Sequence, residues 1–209
     1  MKEYHKINSL FKRDTKGKII ENAWSLPEFE YLKDNVWVFT EKVDGTNVRI
    51  MWNGKDIKFG GRTDNAQMPV TLLNRLSQLF SEEKKLLFQE KFGDSPVCFY
   101  GEGYGAKIQK GGGNYKSDGN DFVLFDININ NWWLRREDMV KIGNMFGIGV
   151  VPIVSSGNLY DMINLVKKGF NSEWGSFLAE GIVARPFVEL TMRNGHRIIT
   201  KLKSKDFQY

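Results

Sequence analysis

Lys42 lies in the stretch Thr40-Glu41-Lys42-Val43-Asp44-Gly45-Thr46-Asn47, an amine with a carboxylate on either side and an Asp-Gly pair just beyond. An amine can attack an electrophile only after losing its proton, which an ordinary lysine keeps until about pH 10. Further along the chain, Lys201 and Lys203 alternate with Thr200 and Leu202, so both ammonium groups leave one face of a strand. If the other face is core, those two cations meet either solvent or a polyanion. Each of these residues also has an ordinary explanation. Asp-Gly between apolar alternations is a strong hairpin signal, and a lysine beside such a turn is usually a solvated edge charge. Glu102 and Glu180 taken singly read as strand-end carboxylates, and Phe122 as a core aromatic.

Composition narrows the classes of chemistry. The 209 residues are 41% hydrophobic and rich in aromatics, enough for a sizeable core and too apolar for disorder. The net charge of +5 is spread along the chain, which suits a polyanionic partner but also an ordinary globular protein. Cys98 is the only cysteine, which excludes an internal disulfide and a cysteine-cluster zinc site. His5 and His196, the only histidines, have no neighbours at metal-ligand spacing. Neither a signal peptide nor an apolar run long enough to span a bilayer is present, so the expectation is a soluble, cytoplasmic protein.

The elements that would position these residues follow from hydrophobic period. Residues 1–32 read as loops with one short helix. Val36–Phe39, Val48–Trp52 and Asp56–Phe59 read as a three-stranded meander, with turns at Asp44-Gly45 and Asn53-Gly54. Helical spacing runs from Val70 to Phe80 and from Glu82 to Phe92, stopped by Gly93, and predicts packing rather than chemistry. Strands are predicted at 96–103 and 121–129, with a partner at 132–134 across an Asn-rich turn. Helices follow at 136–146 and 159–168, and strands at 150–154, 179–185 and 196–203. Strands outnumber helices without regular alternation, which predicts an α+β domain of mainly antiparallel sheets flanked by helices, spanning 1–209. Between 103 and 120 lies a glycine-dense loop with Lys107, Lys110 and Lys116. It fits neither nucleotide-binding glycine fingerprint, and leaves two readings: a basic loop near a phosphate backbone, or plain disorder.

Six separated stretches occur in one order: Glu41 to Asn47, Gly61-Arg62, Phe99-Tyr100-Gly101-Glu102-Gly103, Asp121-Phe122-Val123-Leu124-Phe125-Asp126-Ile127, Glu180-Gly181-Ile182-Val183-Ala184-Arg185, and Thr200-Lys201-Leu202-Lys203. The series, covering about residues 36–203, resembles the covalent nucleotidyltransferase superfamily of ATP-dependent ligases and capping enzymes. Within it the chain is most similar to the RNA ligases, in particular the phage-type branch that seals breaks in duplex RNA. Asn47 stands where DNA ligases of the superfamily usually carry arginine.

The resemblance implies an adenylation domain, ATP-grasp-like, that binds ATP and magnesium or manganese. Lys42 is then the nucleophile that holds AMP as a phosphoramidate. Glu41, Val43, Asn47, Arg62, Glu102 and Phe122 become nucleotide contacts: Glu41 at the adenine edge, Asn47 and Arg62 near the phosphates, Glu102 on the ribose hydroxyls, Phe122 stacked on the base. Arg62, Lys201 and Lys203 supply cations that favour the unprotonated amine and neutralise phosphate. Glu180, helped by Asp44, holds a hydrated metal ion. Asp126 is assigned a structural part only. The implied partner is RNA with 5′-phosphate and 3′-hydroxyl ends, most simply a nicked duplex handled by a monomer, in RNA repair.

Relatives in the superfamily generally carry a further domain, whereas here six residues follow Lys203. The expectation is a minimal domain that performs all three ligation steps, with the loop around Lys107 to Lys116 standing in for part of the missing grip. Alternatives remain within the superfamily (a DNA ligase or an RNA-capping guanylyltransferase) and outside catalysis (a nucleotide- or RNA-end-binding module that seals nothing).

Overall fold

Short strands at Asn8–Ser9 (β1), Phe11–Arg13 (β2) and Ile19–Trp24 (β3) open the chain, followed by a helix at Pro27–Tyr31 (α1) and a strand at Trp37–Glu41 (β4). The proline heads α1, where the missing amide hydrogen has no intrahelical partner to lose. The first two strands are too short to show a period, which is why loops were predicted there. The computed structural model describes residues 3–207. The chain forms two compact units, one from Tyr4 and Asp44–Val151, the other from His5–Val43 and the residues from Pro152 onward.

The Asp44 unit is built on a sheet in the order β6-β5-β7-β8-β9, from Thr46–Trp52 (β5), Ile57–Gly60 (β6), Val97–Gly105 (β7), Asn120–Ile129 (β8) and Trp132–Trp133 (β9), all antiparallel. Helices at Val70–Leu79 (α2), Glu82–Phe92 (α3) and Arg136–Phe146 (α5), with a single turn at Gly112–Tyr115 (α4), complete it. Alternation turns Val48, Ile50 and Trp52 to one face of the sheet, where they pack with Phe99, Leu124, Leu76, Phe88 and Phe146. Phe88 is fully buried, with Trp52, Phe92, Phe99 and Phe146 around it at ring-centroid distances of 5.6, 5.6, 5.1 and 4.7 Å. The register slips between Tyr100 and Gly101, which sets Phe125 at a bulge and returns Phe122, Leu124 and Ile127 to the same core. Two hairpins follow their turn residues. Asn53 caps its turn by accepting from Lys55 N and Asp56 N, and Asn130 and Asn131 both take positive φ between β8 and β9. Asp126, given a structural part above, accepts a buried hydrogen bond from Tyr4 Oη at 2.7 Å.

The other unit carries the sheet β1-β12-β11-β4-β10, with Ile153–Gly157 (β10), Gly181–Pro186 (β11) and Thr200–Lys203 (β12); only the β1/β12 pair is parallel. The β2–β3 hairpin, α1 and a helix at Leu159–Lys168 (α6) cover a core containing Phe11, Phe29, Trp37, Phe39, Met162, Ile182 and Leu202. Asn158 and Asp161 form a reciprocal capping box at the start of α6, an arrangement whose loss typically costs about 1 kcal/mol. A short 3₁₀ turn at Ser204–Phe207 closes the described chain.

One predicted element is corrected outright. The meander across Asp44-Gly45 does not form: β4 pairs with β10 and β11, β5 pairs with β6 and β7, and the unit boundary falls between Val43 and Asp44. Gly45 does not take a positive φ. Its glycine is needed because an added Cβ would lie 2.3 Å from Gly103 O. No helix among the described residues is long and apolar enough to cross a membrane.

Candidate active site

In the unit containing β4, β11 and β12, the sheet brings Lys42, Glu180 and Lys203 together. The residue just past the end of β4 is tied to the first residue of β11 by Lys42 N donating to Gly181 O at 2.9 Å, and Ser204 N donates to Glu180 O, just before β11, at 2.8 Å. Gly181 is required for this approach, since a Cβ there would lie 2.1 Å from Leu202 O. Lys42 Nζ then sits 2.5 Å from Glu180 Oε2, and Lys203 Nζ lies 2.7 Å from Glu180 Oε1. One partly buried carboxylate thus bridges two ammonium groups, one on each oxygen. Lys201 leaves the same face of β12 as Lys203, because Thr200 and Leu202 between them are buried. Two ammonium groups sharing one carboxylate leave local positive charge, which favours an anionic ligand such as a polyphosphate.

Glu41 sits on the buried side of β4. Its carboxylate accepts from Ser172 Oγ at 2.6 Å and Glu173 N at 2.9 Å, and Ser172 Oγ in turn accepts from Trp174 N. The side chain predicted at the adenine edge is therefore engaged in holding the 172–174 loop, and the Glu41 N–H donates to Pro152 O at 3.1 Å. Val43 beside it is buried as well. Burial raises the Glu41 carboxyl above its ordinary value, only partly offset by the Ser172 and Glu173 hydrogen bonds. The folded state therefore binds this proton more tightly than the unfolded chain does. Its contribution is fully present below the ordinary carboxylate range and is lost as pH rises through the raised value. Glu41→Gln keeps an acceptor for Ser172 and Glu173, so denaturant titrations should show a flatter decline in stability above about pH 4.5; an unchanged pH slope would refute this.

The Asp44 unit holds the remaining candidates. Asn47 pairs with Glu102 across β5 and β7. Both point away from the core, because Val48 fills the core side of β5 and Cβ atoms at Gly101 and Gly103 would strike Phe122 and Leu72. Asn47 Oδ1 is buried without a hydrogen-bond partner, an acceptor beside a carboxylate that suits hydroxyl donors such as those of ribose. Phe122 is on the opposite face from these two. Its ring covers Gly101 and meets Phe80 at 6.0 Å, and the residue is buried. It is a core aromatic, and the predicted stacking on a base is corrected by strand alternation. Arg62 is exposed in the loop after β6.

Asp44 is held within this unit at both its side chain and its backbone. Its Oδ2 accepts from Gly111 N at 3.1 Å, and its own N donates to Tyr115 Oη at 3.3 Å. No group of three or more His, Cys, Asp or Glu among the described residues could hold a metal ion. Two residues were missed by sequence reasoning. Ser172 carries no motif. Arg49, fully buried in β5, donates to Gly61 O at 2.8 Å and Asp64 Oδ1 at 2.6 Å, so it anchors the loop that carries Arg62. Its signal, a charge in mid-strand between Val48 and Ile50, was legible and went unread.

A family model described as RNA ligase matches residues 35–203. No curated protein matches the chain. Among solved structures, a mutant of Naegleria gruberi RNA ligase with ATP and Mn is 18% identical at a TM-score of 0.66, covering 87% of this chain and 53% of that one. The same organism's ligase with PPi is 17% identical at a TM-score of 0.66, over 98% and 62% of the two chains. A further mutant with AMP and Mn is 19% identical at 0.65, over 96% and 62%. At such identities the likeness is one of fold. The chain spans between 53% and 62% of the length of these three ligases.

Proposed function

This chain belongs to the RNA ligase family, and we propose that it is an ATP-dependent RNA ligase that carries adenylate on Lys42. The observation that supports this most directly is the Glu180 carboxylate bridging Lys42 and Lys203. In the first step Lys42 Nζ passes a proton to Glu180 and attacks the α-phosphorus of ATP. A P–N bond forms as the bond to pyrophosphate breaks. An oxygen of the RNA 5′-phosphate then attacks the same phosphorus, and the Lys42 amine leaves and regains a proton. Finally the 3′-hydroxyl attacks the activated 5′-phosphorus, forming the phosphodiester and releasing AMP. ATP, pyrophosphate and AMP, the reactant and products of such a sequence, are the molecules with which the Naegleria ligase is described.

The residues divide the work by chemistry. Lys203 and Lys201 neutralise phosphate charge, and Arg62 offers a bidentate donor for the outer phosphates. Glu102 and Asn47 accept from the ribose hydroxyls. Glu180 is the carboxylate that would hold a magnesium or manganese ion, which when bound would supply electrostatic stabilisation of charge at the reacting phosphorus. The substrate proposed is RNA bearing 5′-phosphate and 3′-hydroxyl ends at a nick in a duplex, sealed by a monomer in intracellular RNA repair, in the manner of the phage-type branch. Incubation with ATP and magnesium should add one AMP mass to the intact protein, located by peptide mapping to the segment containing Lys42. Bound intact nucleotide without any adduct would instead mark a non-sealing sensor. Labelling by GTP rather than ATP would mark a capping enzyme.

A further inference from the structure

Residues 106–119, between β7 and β8, pack their apolar side chains inward and display lysines outward. Ile108 and Tyr115 are buried, and Asn120 Nδ2 donates to Ala106 O at 2.9 Å, so the loop has three anchors. On either side of Ile108, Lys107 and Gln109 take left-handed φ values of 63° and 53°. Non-glycine residues held there cost about 1 kcal/mol or more each and persist where packing over-determines them, commonly at functional sites. The consequence is outward display of Lys107, Gln109 and Lys110, all exposed. Lys116 is spent locally: its Nζ lies 3.1 Å from Asp121 Oδ2, and Arg75 holds the same carboxylate. Asp118 is the loop's other acid, exposed and past α4.

The loop is also fastened at Asp44, just before β5. Asp44, two residues after Lys42, accepts from Gly111 N and donates its own N–H to Tyr115 Oη. Gly111 admits this contact because a Cβ there would lie 2.6 Å from Asp44 Oδ2. We propose that Lys107 and Lys110 form a contact for the phosphate backbone of the polynucleotide, and that Asp44 is a positioning residue that clasps the loop carrying them. Naming the polynucleotide as RNA rests on the ligase assignment above. Ammonium groups bind phosphates as point charges without reading bases, so the contact serves any sequence.

Fluorescence-anisotropy titration of a nicked RNA duplex, without ATP and over a range of salt, tests both parts. Each lost phosphate contact lowers the slope of log K against log salt by roughly 0.7 to 0.9. Lys107→Ala/Lys110→Ala should therefore lower the slope by about 1.5, and Lys107→Arg/Lys110→Arg should restore it. Lys91→Ala/Lys141→Ala removes the same charge elsewhere in this unit and should leave the slope unchanged. An unaltered slope in the first variant, or an equal fall in the Lys91/Lys141 control, overturns the contact. For the clasp, Asp44→Asn retains an oxygen for Gly111 N and should bind RNA like the wild type. Asp44→Ala and Gly111→Ala should each weaken binding about tenfold, the worth of one such hydrogen bond. Equal binding by Asp44→Ala and wild type, or equal loss in Asp44→Asn and Asp44→Ala, overturns the clasp. Thermal midpoints identify any variant that fails to fold, and Gly111→Ala then decides. Absence of AMP transfer in the wild type would sink the ligase assignment while leaving these binding results interpretable.

Discussion

Lys42→Arg is expected to abolish covalent adenylate, to below about a thousandth of the wild-type adduct, while the chain stays folded. The substitution separates two duties of one side chain. A guanidinium can still face Glu180, so an ion pair at this position survives in kind. It cannot lose its proton at any pH where the protein is folded, and so cannot attack phosphorus. Lys203 remains 2.7 Å from Glu180, which keeps the carboxylate from standing unpaired even in Lys42→Ala. The thermal midpoint of either variant should therefore move by only a few degrees, the scale of about 1 kcal/mol. Intact-protein mass spectrometry after incubation with ATP and magnesium reads the adduct, and a thermal scan reads the fold. Wild-type adduct in Lys42→Arg would place the nucleophile elsewhere and reduce Lys42 to a structural partner of Glu180.

How much of this was legible depends on whether the cause was local. Arg136–Phe146 and Leu159–Lys168 were predicted to the residue, because helical period and the following glycines act within a few turns. The strands at 97–105 and 120–129 were found within two residues for the same reason. The strand at Ile153–Gly157 was displaced from the predicted 150–154, since an edge strand ending in Ser-Ser-Gly carries little apolar signal. Asp44-Gly45 misled because a turn signal says nothing about which sheet the next strand joins. That choice is made by the pairing of Thr46–Trp52 with residues near position 100, fifty positions further along. The lysine and carboxylate of the candidate site were picked out by residue type and order. Their bridging geometry was not, because it depends on β11 lying between β4 and β12. The use of Glu41 to hold Ser172 was likewise unreadable, being a contact across 131 positions.

Phe122 offers the sharpest test of where the sequence-based site and the folded site diverge. Its ring is buried between β7 and Phe80, the residue that follows α2, on the face of the sheet away from Glu102 and Asn47. Truncation to alanine should therefore act through packing, with a loss of about 3–5 kcal/mol in denaturant unfolding as the cavity is only partly filled by relaxation. Phe122→Leu keeps most of the apolar volume and should lose roughly 1–2 kcal/mol. Stacking of adenine on an aromatic is worth about 1–3 kcal/mol, so removing a stacking partner would raise the KM for ATP by some five- to 150-fold. Because Phe122 faces the core, Phe122→Leu should leave that KM within about twofold of the wild type. A large rise in KM with stability nearly intact would return Phe122 to the nucleotide and show that alternation along β8 had been misjudged. Loss of stability without a KM change would confirm Phe122 as a core residue of β8.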